Sequence, residues 1–259
     1  MFFTLSMLTV ALCLFVGMMT FLELGRRIGL RRLRTDPEGV REGFGAVEGA
    51  IFALLGLLIA FTFSGAVARF NDRRHLIVGE ARAMETAYLR LDLVSPELQP
   101  AIRGNFRRYV DARLEAYRKI PDMTAMAAGL AEADRLQRDI WAQAVAATRA
   151  PGSHSSLATL LLPALNAMID ITTTRTMAMR IHPPLIIFVM LFALALAVAL
   201  LAGYGSAKAR NRSWLHVVSF AAAMAAAIYI ILEIEYPRFG LINVDAFDEA
   251  LVELRESIK

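Results

Sequence analysis

Residues Gly49 to Arg90 read GAIFALLGLLIAFTFSGAVARFNDRRHLIVGEARAMETAYLR, and this stretch decides the fold. Its first twenty residues, Gly49–Ala68, carry no charged side chain. At about 1.5 Å of rise per residue, such a helix matches the roughly 30 Å hydrocarbon core of a bilayer. Arg69, Arg73 and Arg74 follow together, where a helix leaving lipid meets water and phosphate. No proline intervenes before Pro96, so nothing stops the helix at the membrane surface. Beyond the arginines, Ile77, Ala81, Met84, Tyr88 and Leu91 recur at steps of four and three, the seam of a helix that packs on another. The stretch predicts one long helix, half inside lipid and half outside.

Within its apolar half, small residues form a stripe: Gly49, Ala53, Gly56, Ala60 and Ser64, extended by Gly45 and Ala68. Lipid supplies no hydrophobic drive for helices to associate, so close approach through small residues must do so. The stripe therefore marks helix packing, either within one subunit or between copies in a ring. Leu54, Leu57, Leu58 and Phe61 lie off it and face lipid or a pore axis. Leu55, also off it, is expected to tolerate enlargement better than Gly56 or Ala60.

Working outward, apolar residues make up 57% of the 259, above the 45–50% of ordinary soluble domains. Four runs are long and clean enough to span lipid: 1–22, 49–68, 183–207 and 213–232. The first lacks a basic leader and a small-x-small cleavage site, so it reads as a membrane anchor. Cys13, inside it, reads as a buried small residue. Residues 23–48 read as a basic loop, with Arg26, Arg27, Arg31, Arg32 and Arg34 and a turn at Asp36-Pro37. It orients the chain and touches lipid headgroups, or binds a phospholipid or a nucleic acid specifically. Residues 233–259 form an acidic amphipathic tail that ends in a helix with Asp245 at its N-cap. By the positive-inside rule, the basic loops 23–48 and 208–212 are cytoplasmic and both termini lie outside.

Residues 69–182 read as the one extramembrane domain, helical throughout, with breaks at Ser95-Pro96, near Pro121 and at Ala150–Ser156. The fold class is an all-α membrane protein of four transmembrane helices, with this helical domain between the second and third. Its arginines mostly stand one turn from acids, the pattern of a solvated surface and not of a nucleic-acid interface. Asn166, Asp170 and Thr174 share a helix face, and with Arg175 they form the most unusual polar cluster. It is either a buried network docking this helix on the arginine-bearing one or a site for an ion or ligand. No catalytic constellation, cofactor motif or metal-ligand spacing is present; the four histidines are scattered.

The segment LGLLIAFTFSGAVARFNDRR resembles the second membrane helix of bacterial bestrophins, a family of pentameric anion channels. Arg69, Phe70, Asp72 and Arg74 match its Arg-Phe-x-acid-x-Arg ending, and Phe61 stands at its earlier aromatic position. Gly65 and Ala66 replace polar residues there, and the tryptophans beside the arginine pair are missing. LNAMIDITTTR (Leu165–Arg175), the HPP at His182–Pro184 and ILEIEYPRFGLI (Ile231–Ile242) resemble the bestrophin-like bacterial membrane proteins of unsettled function. The resemblance implies a multi-pass protein of the bacterial inner membrane, a homo-oligomer (a pentamer), and a small inorganic ion as cargo. It implies an orientation opposite to that of the charge rule. Leu57 and Phe61, one turn apart on one face, would form an apolar neck that gates by dewetting. Arg69, Arg73 and Arg74 would favour anions at the pore mouth. The alternative function is a membrane-anchored scaffold whose helical domain binds a partner.

Overall fold

A computed structural model describes residues 2–35, 44–120, 122–207, 214–242 and 244–258, and no strand occurs among them. The helices are α1 (Phe2–Thr35), α2 (Phe44–Leu89), α3 (Gln99–Arg118), α4 (Met123–Thr148), α5 (Leu157–Ala178), α6 (Leu185–Ser206), α7 (Trp214–Glu235) and α8 (Asp245–Ser257). One 3-10 turn, Arg90–Leu93, ends α2. The chain divides into two compact units, Met1–Arg69 with His182–Leu241, and Phe70–Ile181 with Ile242–Lys259. The long helix expected from the arginine-bearing stretch is α2, at 46 residues.

The first unit holds α1, α6, α7 and the 44–69 part of α2. Its core is aliphatic and small: Leu14, Met18 and Leu22 of α1, Leu55 of α2, Leu191, Ala195 and Val198 of α6, and Ala221 and Ile228 of α7. Glycine lets α1 and α6 touch through their backbones. A Cβ on Gly25 would run into the Leu200 carbonyl group, and one on Gly203 into the Leu22 carbonyl group. Further along, a Cβ on Gly29 would lie 2.7 Å from the Tyr204 oxygen and from the Ala207 Cβ. Gly17 faces Leu196. Contact positions rise together along both helices, so α1 and α6 run parallel.

The second unit packs α3, α4, α5, α8 and the 70–89 part of α2 around Met84, Leu91, Phe106, Tyr109, Leu136 and Leu161. The seam read from the sequence, Ile77, Ala81, Met84, Tyr88 and Leu91, is buried throughout. The Asp122 side chain caps α4 by accepting from the Thr124 and Ala125 amides at 3.0 and 2.9 Å. Gly152, at φ 79°, supplies the left-handed turn between α4 and α5.

Several expectations are corrected. Residues 23–35 are not loop: they continue α1, and 44–48 open α2. Arginine and leucine are good helix formers, and the glycines there are needed for packing. The Asp36-Pro37 turn and the basic residues 208–212 lie outside the described residues. Cys13 is exposed on the lipid-type surface of α1, on the face opposite the buried Leu14, Met18 and Leu22. Helix α8 begins at Asp245 with Val244 at the N-cap position. Among the described residues five helices, α5 included, are long and apolar enough to cross a membrane by length and composition.

Candidate functional site

Helix α2 presents three faces within the first unit. Leu55, Thr62 and Ala66 point into the subunit, Leu55 at 2% exposure. The small residues Gly49, Ala53, Gly56, Ala60 and Ser64 are all exposed, and a Cβ on Gly49 or Gly56 would meet nothing within 4 Å. Leu57 and Phe61 are exposed as well, at 52% and 67%. The stripe therefore packs on nothing described within its own chain. Leu55 is corrected: it belongs to the core, where enlargement is costly.

The three arginines do not form a collar. Arg69 lies back along α2, its guanidinium 3.3 Å from where a Gly65 Cβ would stand, so the absent side chain at 65 leaves it room. Its Nε and Nη2 donate to the Glu235 carboxylate at 3.0 and 2.7 Å. Glu235 is fully buried, and the His182 ring lies 3.0 Å from its other oxygen, stacked on Tyr236. These groups all belong to the first unit. In the second, Arg73 is buried and donates to the Ala178 and Ile181 carbonyls at 3.3 and 2.9 Å, closing the C-terminal end of α5. Arg74, half-exposed, donates to Asn71 at 3.3 Å and stands over the Phe70 ring.

The polar cluster on α5 also separates. Asn166 donates to Asp170 at 3.3 Å, and both are exposed. Arg175 lies on the buried face with Thr172. It pairs with Glu80 of α2 and donates to Asp248 of α8 at 2.8 Å. Arg113 of α3 holds the other Glu80 oxygen at 2.7 Å and the Tyr117 hydroxyl at 2.8 Å. The Arg175 guanidinium covers the Tyr117 ring at 3.9 Å. Glu80 is fully buried and its one carboxylate bridges two guanidiniums out of water, with Asp248 supplying the second negative charge beside Arg175. Desolvation is the largest single influence on Arg113 and works against its charge, but Glu80, by charge and hydrogen bond, together with Tyr117 and Tyr109 outweighs it and the net pKa is raised. Burial pushes the neighbouring Tyr109 phenol up.

Sequence reading passed over Glu80, Arg113 and Asp248. The signal was present for Glu80: from Arg73 through Ile77, Glu80, Met84, Ala87 and Leu91, steps of four and three put an acid on an apolar seam. Among the described residues no group of three His, Cys, Asp or Glu side chains could hold a metal ion.

A family model for the Bestrophin-like domain matches residues 12–246. No curated protein matches the chain. Three crystal structures of variants of a bacterial bestrophin homologue from Klebsiella pneumoniae superpose with TM-scores of 0.66, 0.68 and 0.69, each at 13% identity. They cover 93%, 93% and 95% of this chain and 98%, 99% and 98% of their own. At that identity the likeness is one of fold. A family model spanning nine-tenths of the sequence goes further: the chain belongs to the bestrophin-like family.

Proposed function

We propose that the protein is an oligomeric anion channel of the bacterial inner membrane, with Leu57 and Phe61 of α2 forming an apolar neck. The observation that carries this reading is the uncovered face of α2. Small residues and large apolar ones are both exposed there, on a helix whose opposite side is buried in its own subunit. At 3.6 residues per turn, Leu57 and Phe61 stand roughly 80° round the helix from the small stripe. In a ring, that offset suits one face to a neighbouring copy and the next to a central axis. Membrane spans at α1, the first part of α2, α6 and α7 suit it too. Parallel α1 and α6 require an even number of crossings between α2 and α6, which keeps the apolar α5 out of the count. Arg69 and Arg73 are held by Glu235 and by carbonyls, whereas Arg74, half-exposed beside Asn71 and Phe70, keeps part of its surface open and would favour anions at a mouth.

Currents through purified protein in planar bilayers test the neck. Leu57→Ala with Phe61→Ala should raise conductance severalfold by wetting the constriction. Arg74→Gln should shift the reversal potential away from that of chloride in an asymmetric gradient. A folded oligomer that passes no current in any of these forms ends the channel reading.

Assembly has its own test. Gly56→Leu or Ala60→Leu adds bulk outside the subunit core, so overpacking of about 1–3 kcal/mol should fall on subunit contacts and leave each subunit folded. Mass in detergent should drop toward the monomer. An unchanged mass would remove the stripe from the interface, and a monomeric parent would favour the membrane-anchored scaffold.

A further inference from the structure

We infer that the distal end of α1 is a docking site for the headgroups of anionic phospholipids. Helix α1 is 34 residues long, about 50 Å at 1.5 Å per residue, whereas a hydrocarbon core is about 30 Å thick. The overhang is at the C-terminal end, and the helix beside it locates where it begins. Helix α6, parallel to α1 and 22 residues long, ends at Ser206, and Gly29 lies against Tyr204 and Ala207 at that end. Arg31, Arg32 and Arg34 therefore project past the end of a neighbour whose length matches the bilayer.

The overhang has the chemistry of the headgroup zone and not of open water. Residues 23–35 hold five arginines and a single acid, Glu23. Arg27 donates to Glu23 at 2.9 Å; among the described residues Arg26, Arg31, Arg32 and Arg34 have no ion-pair partner. Arg27, Arg31 and Arg34 recur at steps of four and three, one stripe about 10 Å long. Leu24, Ile28 and Leu30 are exposed on either side of it. Exposed aliphatic side chains interleaved with arginines suit a helix lying through the acyl–headgroup boundary, with guanidiniums reaching phosphate and alkyl stems in the acyl layer. Each guanidinium can hold a phosphodiester bidentately. The inference rests on α1 crossing the bilayer and is independent of conduction, so loss of current does not bear on it.

Lipid retention tests it. The full-length protein in detergent is equilibrated with an equimolar mixture of phosphatidylglycerol and phosphatidylethanolamine of the same acyl chains, and bound lipid is read by native mass spectrometry. The parent should retain phosphatidylglycerol selectively. Arg27→Gln/Arg31→Gln/Arg34→Gln should lower that retention about tenfold or more, since each cation near an anionic surface is worth about 1 kcal/mol. The triple Lys variant should keep most of it, and Arg118→Gln/Arg135→Gln on the second unit should leave it unchanged. Single Arg31→Gln and Arg34→Gln variants serve if the triple variant fails to fold, and each should lose part of the selectivity. Equal retention of the two lipids by the parent, or full retention by every Gln variant, overturns the inference. So does displacement of the lipid by millimolar inorganic phosphate, which would mark a free-anion site.

Discussion

Replacing Glu80 with alanine should unfold the second unit at temperatures where the parent is intact. The carboxylate is fully buried, and it is the link between Arg113 of α3 and Arg175 of α5. Its loss leaves two guanidiniums facing each other out of water with Asp248, at the edge of the cluster, as the nearest acid. Breaking a buried ion pair by removing one partner costs about 3–5 kcal/mol, which is a large share of the 5–15 kcal/mol that holds a typical domain together. Asp248→Asn, which removes a partly exposed partner, should cost markedly less. The mechanism also predicts a rescue. Glu80→Met with Arg113→Met and Arg175→Met removes every buried charge of the triad, and should be more stable than Glu80→Ala alone. Thermal unfolding and protease resistance of the 70–181 segment in the purified protein read both effects. A Glu80→Ala protein that melts with the parent would mean that the triad is hydrated and adds little.

How far the sequence could be read depended on whether a feature was written in periodicity or in partners. The length of α2 was legible because charge-free and seam-bearing stretches follow each other without a breaker. The small stripe was legible as a stripe, but its partner was not: only three dimensions show that Leu55, and not Gly56, faces the core. Arg69, Arg73 and Arg74 looked equivalent along the chain. Only the structure shows that their partners differ: Glu235 for Arg69, the Ala178 and Ile181 carbonyls for Arg73, and Asn71 with the Phe70 ring for Arg74. Spacing placed Asn166, Asp170 and Thr174 on one face correctly. It could not say that this face is the exposed one, because Arg175 sits on the buried side with a partner 95 positions away in sequence. The end of α1 was misread for a physical reason. Arginines and glycines suggest loop when read alone, yet here four of the five arginines are exposed on the helix and the glycines let α6 approach.

Those glycines carry the other large effect: Gly25→Ala and Gly203→Ala should each disrupt the first unit, although alanine is the better helix former. A Cβ on Gly25 would fall on the Leu200 carbonyl oxygen, with its carbon 2.9 Å away; one on Gly203 would fall on that of Leu22, with its carbon 2.8 Å away. The obstacle is backbone in both directions, so no rotamer change relieves it and the helices must move apart. In lipid no hydrophobic gain compensates for that separation, because the tails are as apolar as the side chains they replace. Overpacking of about 1–3 kcal/mol is the general scale, and two rigid backbones in contact put these sites at its upper end or above. Gly17→Ala supplies the comparison on the same helix. Its Cβ would meet only the tip of Leu196 at 3.2 Å, which can turn aside. Sign separates the outcomes more sharply than size. At a roomy position, glycine to alanine stabilises a helix by roughly 0.5–1 kcal/mol, so Gly17→Ala should be neutral or better while Gly25→Ala and Gly203→Ala lower the melting temperature. If all three substitutions moved stability in the same favourable direction, α1 and α6 would not be in backbone contact, and the parallel pairing that supports a four-span count would lose its basis.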